Sequence, residues 1–66
     1  MRIHFNDEPM QCVEGITVAT LLSQLRQLKP GVALALNQQI LPREQWEKQQ
    51  VREGDQILLF QVIAGG

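Results

Sequence analysis

The sequence predicts a two-layer α+β domain, with one helix packed on one face of a mixed sheet of four to five strands. Three observations predict it. The apolar period changes from two to about 3.6 at Thr17, and back to two at Val32. Turn-forming clusters at Asn6–Pro9, Pro30-Gly31, Asn37–Gln39 and Glu53–Asp55 cut the chain into short segments. The segment Gln56–Ile63 is apolar on both of its faces, as expected of a central strand.

Each element follows from its residues. Arg2–Asn6 alternates, with Ile3 and Phe5 on one face and Arg2, His4 and Asn6 on the other, which is a half-buried strand. Met10–Val13 is a short return strand, broken by Glu14-Gly15. Val18, Leu21, Leu22, Leu25 and Leu28 then fall on one face of a helix. Thr17 is its natural N-cap, and Ile16 and Leu21 occupy the staple positions flanking that cap. Arg26 and Lys29 favour the negative end of the helix dipole, and Pro30-Gly31 stops the helix. Val32–Leu36 is a third strand, and Ile40-Leu41 returns briefly after the Asn37–Gln39 turn. Pro42–Trp46 reads as one helical turn with proline at its first position. In the last strand Ile57 and Leu59 point one way, and Leu58, Phe60 and Val62 the other. One helix covers only one face, so one of these two sets is left for a partner. The right-handed crossover makes the first and last strands parallel neighbours mid-sheet. This order is the β-grasp layout of ubiquitin-like proteins, filling one domain over residues 1–66 with a flexible tail at 63–66.

Size and composition exclude several functions. The 66 residues hold one core, and a domain this small has little room for an enclosed substrate pocket of roughly 300 Å³. A carrier or binding module is expected rather than an enzyme. A net charge of −1 without a basic cluster gives nucleic acid no electrostatic footprint. One cysteine and one histidine exclude a Cys/His metal cage. No apolar run approaches a membrane span, and no secretory signal opens the chain, so a reducing cytoplasm is the expected compartment. His4 lacks a catalytic partner and reads as solvent-facing, within reach of an interface. Cys12 and Trp46 read as packing residues.

The chemistry is expected at the end. The sequence finishes Val62-Ile63-Ala64-Gly65-Gly66. At neutral pH a terminal carboxyl is an anion and inert toward acyl transfer. Attack on the α-phosphate of ATP turns it into an acyl-adenylate, and a sulfur nucleophile displacing AMP leaves a thiocarboxylate. Two glycines without Cβ atoms suit a thread through a tight channel of another protein, and they leave the last carbonyl open to attack.

Four segments carry a family resemblance: Ile3–Asp7; Ala35–Arg43 followed by Trp46; Gly54–Ile57; and Val62–Gly66. Together they span essentially the whole chain, and the set Asn37, Ile40, Pro42, Arg43 and Trp46 is its most specific part. The chain resembles the ThiS family, the small sulfur carriers of thiamine biosynthesis. The resemblance implies that Gly66 is adenylated by an E1-like, ThiF-type adenylyltransferase that consumes ATP, the carrier itself binding no cofactor. It implies that sulfur from a cysteine desulfurase persulfide makes Gly66 a thiocarboxylate, which a ThiG-type thiazole synthase receives. Ile63, Ala64 and Gly65 would thread into partner sites. Leu58, Phe60 and Val62, with His4 beside them, would form the docking patch, while Ile57 and Leu59 face the helix. Competing readings share the ending: a molybdopterin-synthase small subunit, a ubiquitin-like modifier transferred to lysine, or a plain interaction module.

Overall fold

Strand β1 (Arg2–Phe5) turns directly into β2 (Glu8–Gln11) in a computed structural model that describes residues 1–61. Asn6 and Asp7 form the two-residue connection with φ of 51° and 68°, the left-handed pair of a type I′ hairpin. The second strand therefore starts at Glu8 rather than Met10, and ends at Gln11, leaving Val13 exposed. Proline at position 9 is tolerated because β2 is an edge strand. His4, opposite Pro9, donates its N–H to Asp55 on the other side, so position 9 owes no ladder bond.

Helix α1 (Val18–Gln24) begins where expected. The Oγ1 of Thr17 accepts from the Thr20 N–H at 3.2 Å. The first two helical N–H groups, of Val18 and Ala19, donate to the carbonyls of Gln49 and Trp46, each at 2.9 Å. Three donors that a helix start leaves unpaired are thereby satisfied, two of them by the distant segment around Trp46–Gln49. Ile16 and Leu21 are both buried, as the staple requires.

The helix ends earlier than the leucine spacing implies. Leu25 is the C-cap, Arg26 takes φ 60°, Arg26 N–H donates to Ser23 O, and Gln27 N–H donates to Leu22 O. This is a Schellman motif, with arginine where glycine is usual. Leu28 consequently leaves the core stripe and is exposed, and Arg26 and Lys29 lie beyond the last helical turn. A loop leads to β3 (Val32–Leu36), which a second left-handed pair, Asn37 and Gln38, joins to β4 (Gln39–Ile40). A 3-10 turn (Arg43–Gln45) follows, with Pro42 at its cap.

Strand β5 (Gln56–Gln61) completes a sheet of order β2-β1-β5-β3-β4. It runs parallel to β1 and antiparallel to β3, so the first and last strands are neighbours at the centre, as the topology predicts. The core lies between sheet and helix: Ile3, Leu34 and Ile57 from the strands, Val18 and Leu22 from α1, and Trp46 from below the helix start. Trp46 is 2% exposed, and its Nε1 donates to Leu41 O at 2.9 Å. The Arg43 guanidinium stacks 4.7 Å from its ring and donates to Lys29 O. This indole is the packing residue it was read as.

A left-handed arginine carries steric cost that glycine does not. Arg26→Gly is expected to stabilise the fold by about 0.5–1 kcal/mol, read as a raised urea midpoint; a lowered midpoint contradicts the Schellman assignment.

Candidate functional site

β5 shows which of its faces is free. Ile57 is buried, Leu59 is half-buried toward the core, and Leu58 and Phe60 remain 40% and 43% exposed on the opposite face. The alternation alone left two choices open, and the position of the helix decides between them. Register then aligns neighbours on this outer face. Phe60 lies opposite Ala33, Leu58 opposite Ala35, and Ala35 opposite Ile40. Ile40, 64% exposed, extends the apolar row to the far edge of the sheet. Ile40 was not among the residues expected on this face. The signal was the two-residue Asn37-Gln38 turn, which fixes position 40 across from position 35. His4 is exposed on the same face, opposite Gln56 on β5. Leu58, Phe60 and His4 thus share the outer face, with His4 level with Gln56 and four positions short of Phe60 along β5; Val62 lies outside the described residues.

The strand that displays this face is clasped from both edges. Toward β1, Asn6 N–H donates to Ile57 O at 2.8 Å, and Asn6 Oδ1 accepts the Leu59 N–H at 2.9 Å. The Asn6 backbone has already turned into the left-handed region. Its side-chain oxygen therefore stands in for the ladder acceptor that its carbonyl no longer supplies. Toward β3, Asn37 N–H donates to Gln56 O at 2.8 Å, and Asn37 Oδ1 accepts the Gln56 N–H at 3.0 Å. Asn37 Nδ2 also reaches Asp55 Oδ1 at 3.0 Å, while Asp55 Oδ2 accepts from the Arg52 N–H at 2.8 Å. The turn between them uses Gly54 at φ 84°, whose N–H donates to Arg2 O. Pairing with β3 continues to Gln61, opposite Val32. Gly66, Gly65, Ala64 and Ile63, the expected reacting end and thread, lie outside the described residues.

The other described residues offer no competing centre. A cleft of about 200 Å³ lies beside the end of β5, lined by Phe5, Asn6, Leu59 and Phe60 among others, and holds no ionisable side chain. A larger open groove, about 460 Å³, runs between Leu28, Ala19 and Trp46 on the helix side. Among the described residues no three His, Cys, Asp or Glu side chains converge as a metal site would need. No helix among them is long and apolar enough to cross a membrane. Cys12 is half-buried against the core, and burial pushes its thiol up, so the thiolate is a minor species at neutral pH.

Comparison with known proteins decides the family. The ThiS family model matches residues 3–66. The chain belongs to the ThiS family. It is 65% identical over 66 residues, covering all of both chains, to the sulfur carrier protein ThiS of Escherichia coli (strain K12). An uncharacterized protein, ycf40, of Porphyra purpurea is 25% identical over 64 residues, which are 97% of this chain and 90% of that one. Among solved structures, the crystal structure of the thiamine biosynthesis protein ThiS from Geobacter metallireducens superposes with a TM-score of 0.89 at 29% identity, covering both chains fully. A solution structure of a thiamine biosynthesis protein from the same organism gives 0.75 at 28% identity, covering all of this chain and 88% of that one. The β-grasp expectation is borne out as a five-stranded mixed sheet with one helix. As a ThiS-family member the protein is a small sulfur carrier and not a catalyst.

The assignment of faces makes a direct prediction. Phe60→Asp leaves the fold cooperative, with a stability loss of no more than about 1 kcal/mol, whereas Ile57→Asp unfolds the domain. Circular dichroism during urea titration checks both; unfolding by Phe60→Asp would reverse the faces.

Proposed function

We propose that this protein carries sulfur on Gly66 for the thiazole of thiamine. The observation that carries this reading is the end-to-end likeness to a sulfur carrier protein, together with a family model that runs to residue 66. A ThiF-type adenylyltransferase brings the Gly66 carboxylate to ATP. A carboxylate oxygen attacks the α-phosphate and expels pyrophosphate, giving an acyl-adenylate. A persulfide derived from a cysteine desulfurase supplies the sulfur that displaces AMP, and reduction of the remaining sulfur–sulfur bond by a thiol leaves the thiocarboxylate. A ThiG-type thiazole synthase then takes the sulfur. ATP is consumed at the partner's site and no cofactor resides on the carrier. Adenylation and carbonyl attack happen in partner active sites, and those partners work in the cytoplasm.

The described residues supply what such a carrier needs around its tail. β5 is held on both edges, so the tail starts from a fixed strand. Five residues follow Gln61, enough to extend roughly 16–18 Å into a partner. Ile63, Ala64 and Gly65 thread that channel, and no large side chain follows Ile63. The docking patch of Leu58, Phe60 and Val62, flanked by His4, seats the body while the tail is inserted. Covering an exposed leucine or phenylalanine at this level is worth about 1 kcal/mol each, so the face contributes useful affinity without locking the carrier to one enzyme.

Deleting Gly66 is expected to abolish thiazole-dependent growth while leaving the unfolding midpoint unchanged. A strain carrying only this deletion and growing normally without thiazole would overturn the reading.

A further inference from the structure

On its β1 side the end of β5 is held by a single side chain. Backbone pairing between the two strands ends at Phe5 and Ile57, yet β5 runs on to Gln61. Asn6 N–H still reaches Ile57 O. Past that point, among the described residues, the one hydrogen bond to β5 from this side is Leu59 N–H to Asn6 Oδ1, at 2.9 Å. On the other side the β3 register continues to Gln61. Without the Asn6 amide, the last residues of β5 belong to a two-stranded ribbon, and such ribbons twist more than a wider sheet. Asn6 also lines the cleft beside Leu59, Phe60 and Gln61, so water reaches the Leu59 N–H once the amide is gone. The turn by itself does not call for asparagine. Asn6 sits at φ 51°, which glycine adopts without steric cost. What glycine lacks is the side-chain oxygen.

We propose that Asn6 is a positioning residue for the reaction at Gly66: by anchoring Leu59 it sets the direction in which the C-terminal residues leave the body. The role rests on the adenylation proposed above and adds a residue of the body to it. The strand end acts as the base of a lever. A change of roughly 20° there, the size of ordinary strand-to-strand twist, moves the end of an extended segment about 16–18 Å long by about 6 Å. Attack on the α-phosphate needs its reacting atoms within about 3–3.5 Å. A splayed strand end therefore leaves fewer bound carriers with the carboxylate in place, which lowers kcat rather than raising KM. The net strength of one hydrogen bond sets the scale of that loss at about fivefold.

The test uses the full chain and the adenylyltransferase of the same organism. Exchange of labelled pyrophosphate into ATP is followed at saturating ATP while the carrier concentration is varied. Asn6→Gly, which keeps the turn and removes the acceptor, is expected to fold, to lose about fivefold in kcat and to hold KM within about twofold. Its Leu59 N–H is expected to exchange with solvent about fivefold faster, or more. Asn6→Asp, which keeps an acceptor oxygen at the same place, is expected to restore both readouts to within about twofold of the parent. Thr17→Ala removes the helix cap far from β5, and is expected to lower the urea midpoint while leaving kcat within about twofold. Parental kcat in Asn6→Gly would overturn the proposal. So would an Asn6→Asp chain as slow as Asn6→Gly, because the acceptor would then be irrelevant. Equal loss of kcat in Thr17→Ala would reduce the effect to general stability, and an unfolded Asn6→Gly would make Asn6 a residue of the fold alone; either overturns it. A parent chain that supports no exchange would instead remove the adenylation reading, and the role of Asn6 with it.

Discussion

Everything distinctive about this molecule depends on strand β5 being clasped along both edges. Backbone pairing alone gives β1 and β5 a short register, His4 to Gln56 and Phe5 to Ile57. Two asparagines extend the hold. Asn6 continues the β1 side through its own side chain after its backbone has turned, and Asn37 closes the β3 side at Gln56 and Asp55. Each also occupies the first left-handed position of a two-residue turn, where asparagine is among the few tolerated residues. One residue type thus makes the reversal and supplies the side chain that secures the central strand. In a domain of this size, where net stability is a small difference of large terms, such doubling of roles is economical.

A second constraint is the length of the helix. Seven residues of α1 cover one face of a five-stranded sheet and cannot cover the other. The segment from Leu41 to Val51 is spent on the helix side, where Trp46 fills the space under the helix start and its carbonyl caps Ala19. Nothing in the described residues is left to shield Leu58, Phe60 and Ile40. For a free-standing protein that bare row is an aggregation hazard. For a carrier that works with partner enzymes, the function proposed above makes that row the docking surface.

Much of this was legible in the sequence, for physical reasons. Alternation at Ile3 and Phe5, the Thr17 cap with its Ile16–Leu21 staple, and the doubly apolar last strand are local patterns whose meaning does not depend on distant contacts. The hairpin turns were placed too broadly, because Pro9 looked like a turn residue when it is an edge-strand residue freed from its ladder bond by register. The helix end was misplaced for a different reason. Leu28 continues the helical spacing, and nothing local announces that Arg26 will adopt a left-handed conformation. Ile40 escaped notice because its exposure is fixed by pairing with Ala35, a relation between two strands rather than within one. The choice between the two faces of β5 could not be made by alternation, and the family resemblance made it correctly.

Sulfur carriage by this protein, as proposed, stands or falls with Gly66. It is tested most directly by high-resolution mass spectrometry of the C-terminal fragment, isolated from growing cells and treated with an alkylating trap. The expected result is an alkylated thiocarboxylate at Gly66, with sulfur in place of one carboxylate oxygen. The trap separates this from oxidation at Met1 or Met10, which adds nearly the same mass to the intact chain. A plain carboxylate that persists after incubation with ATP, the adenylyltransferase and a persulfide donor would contradict the account.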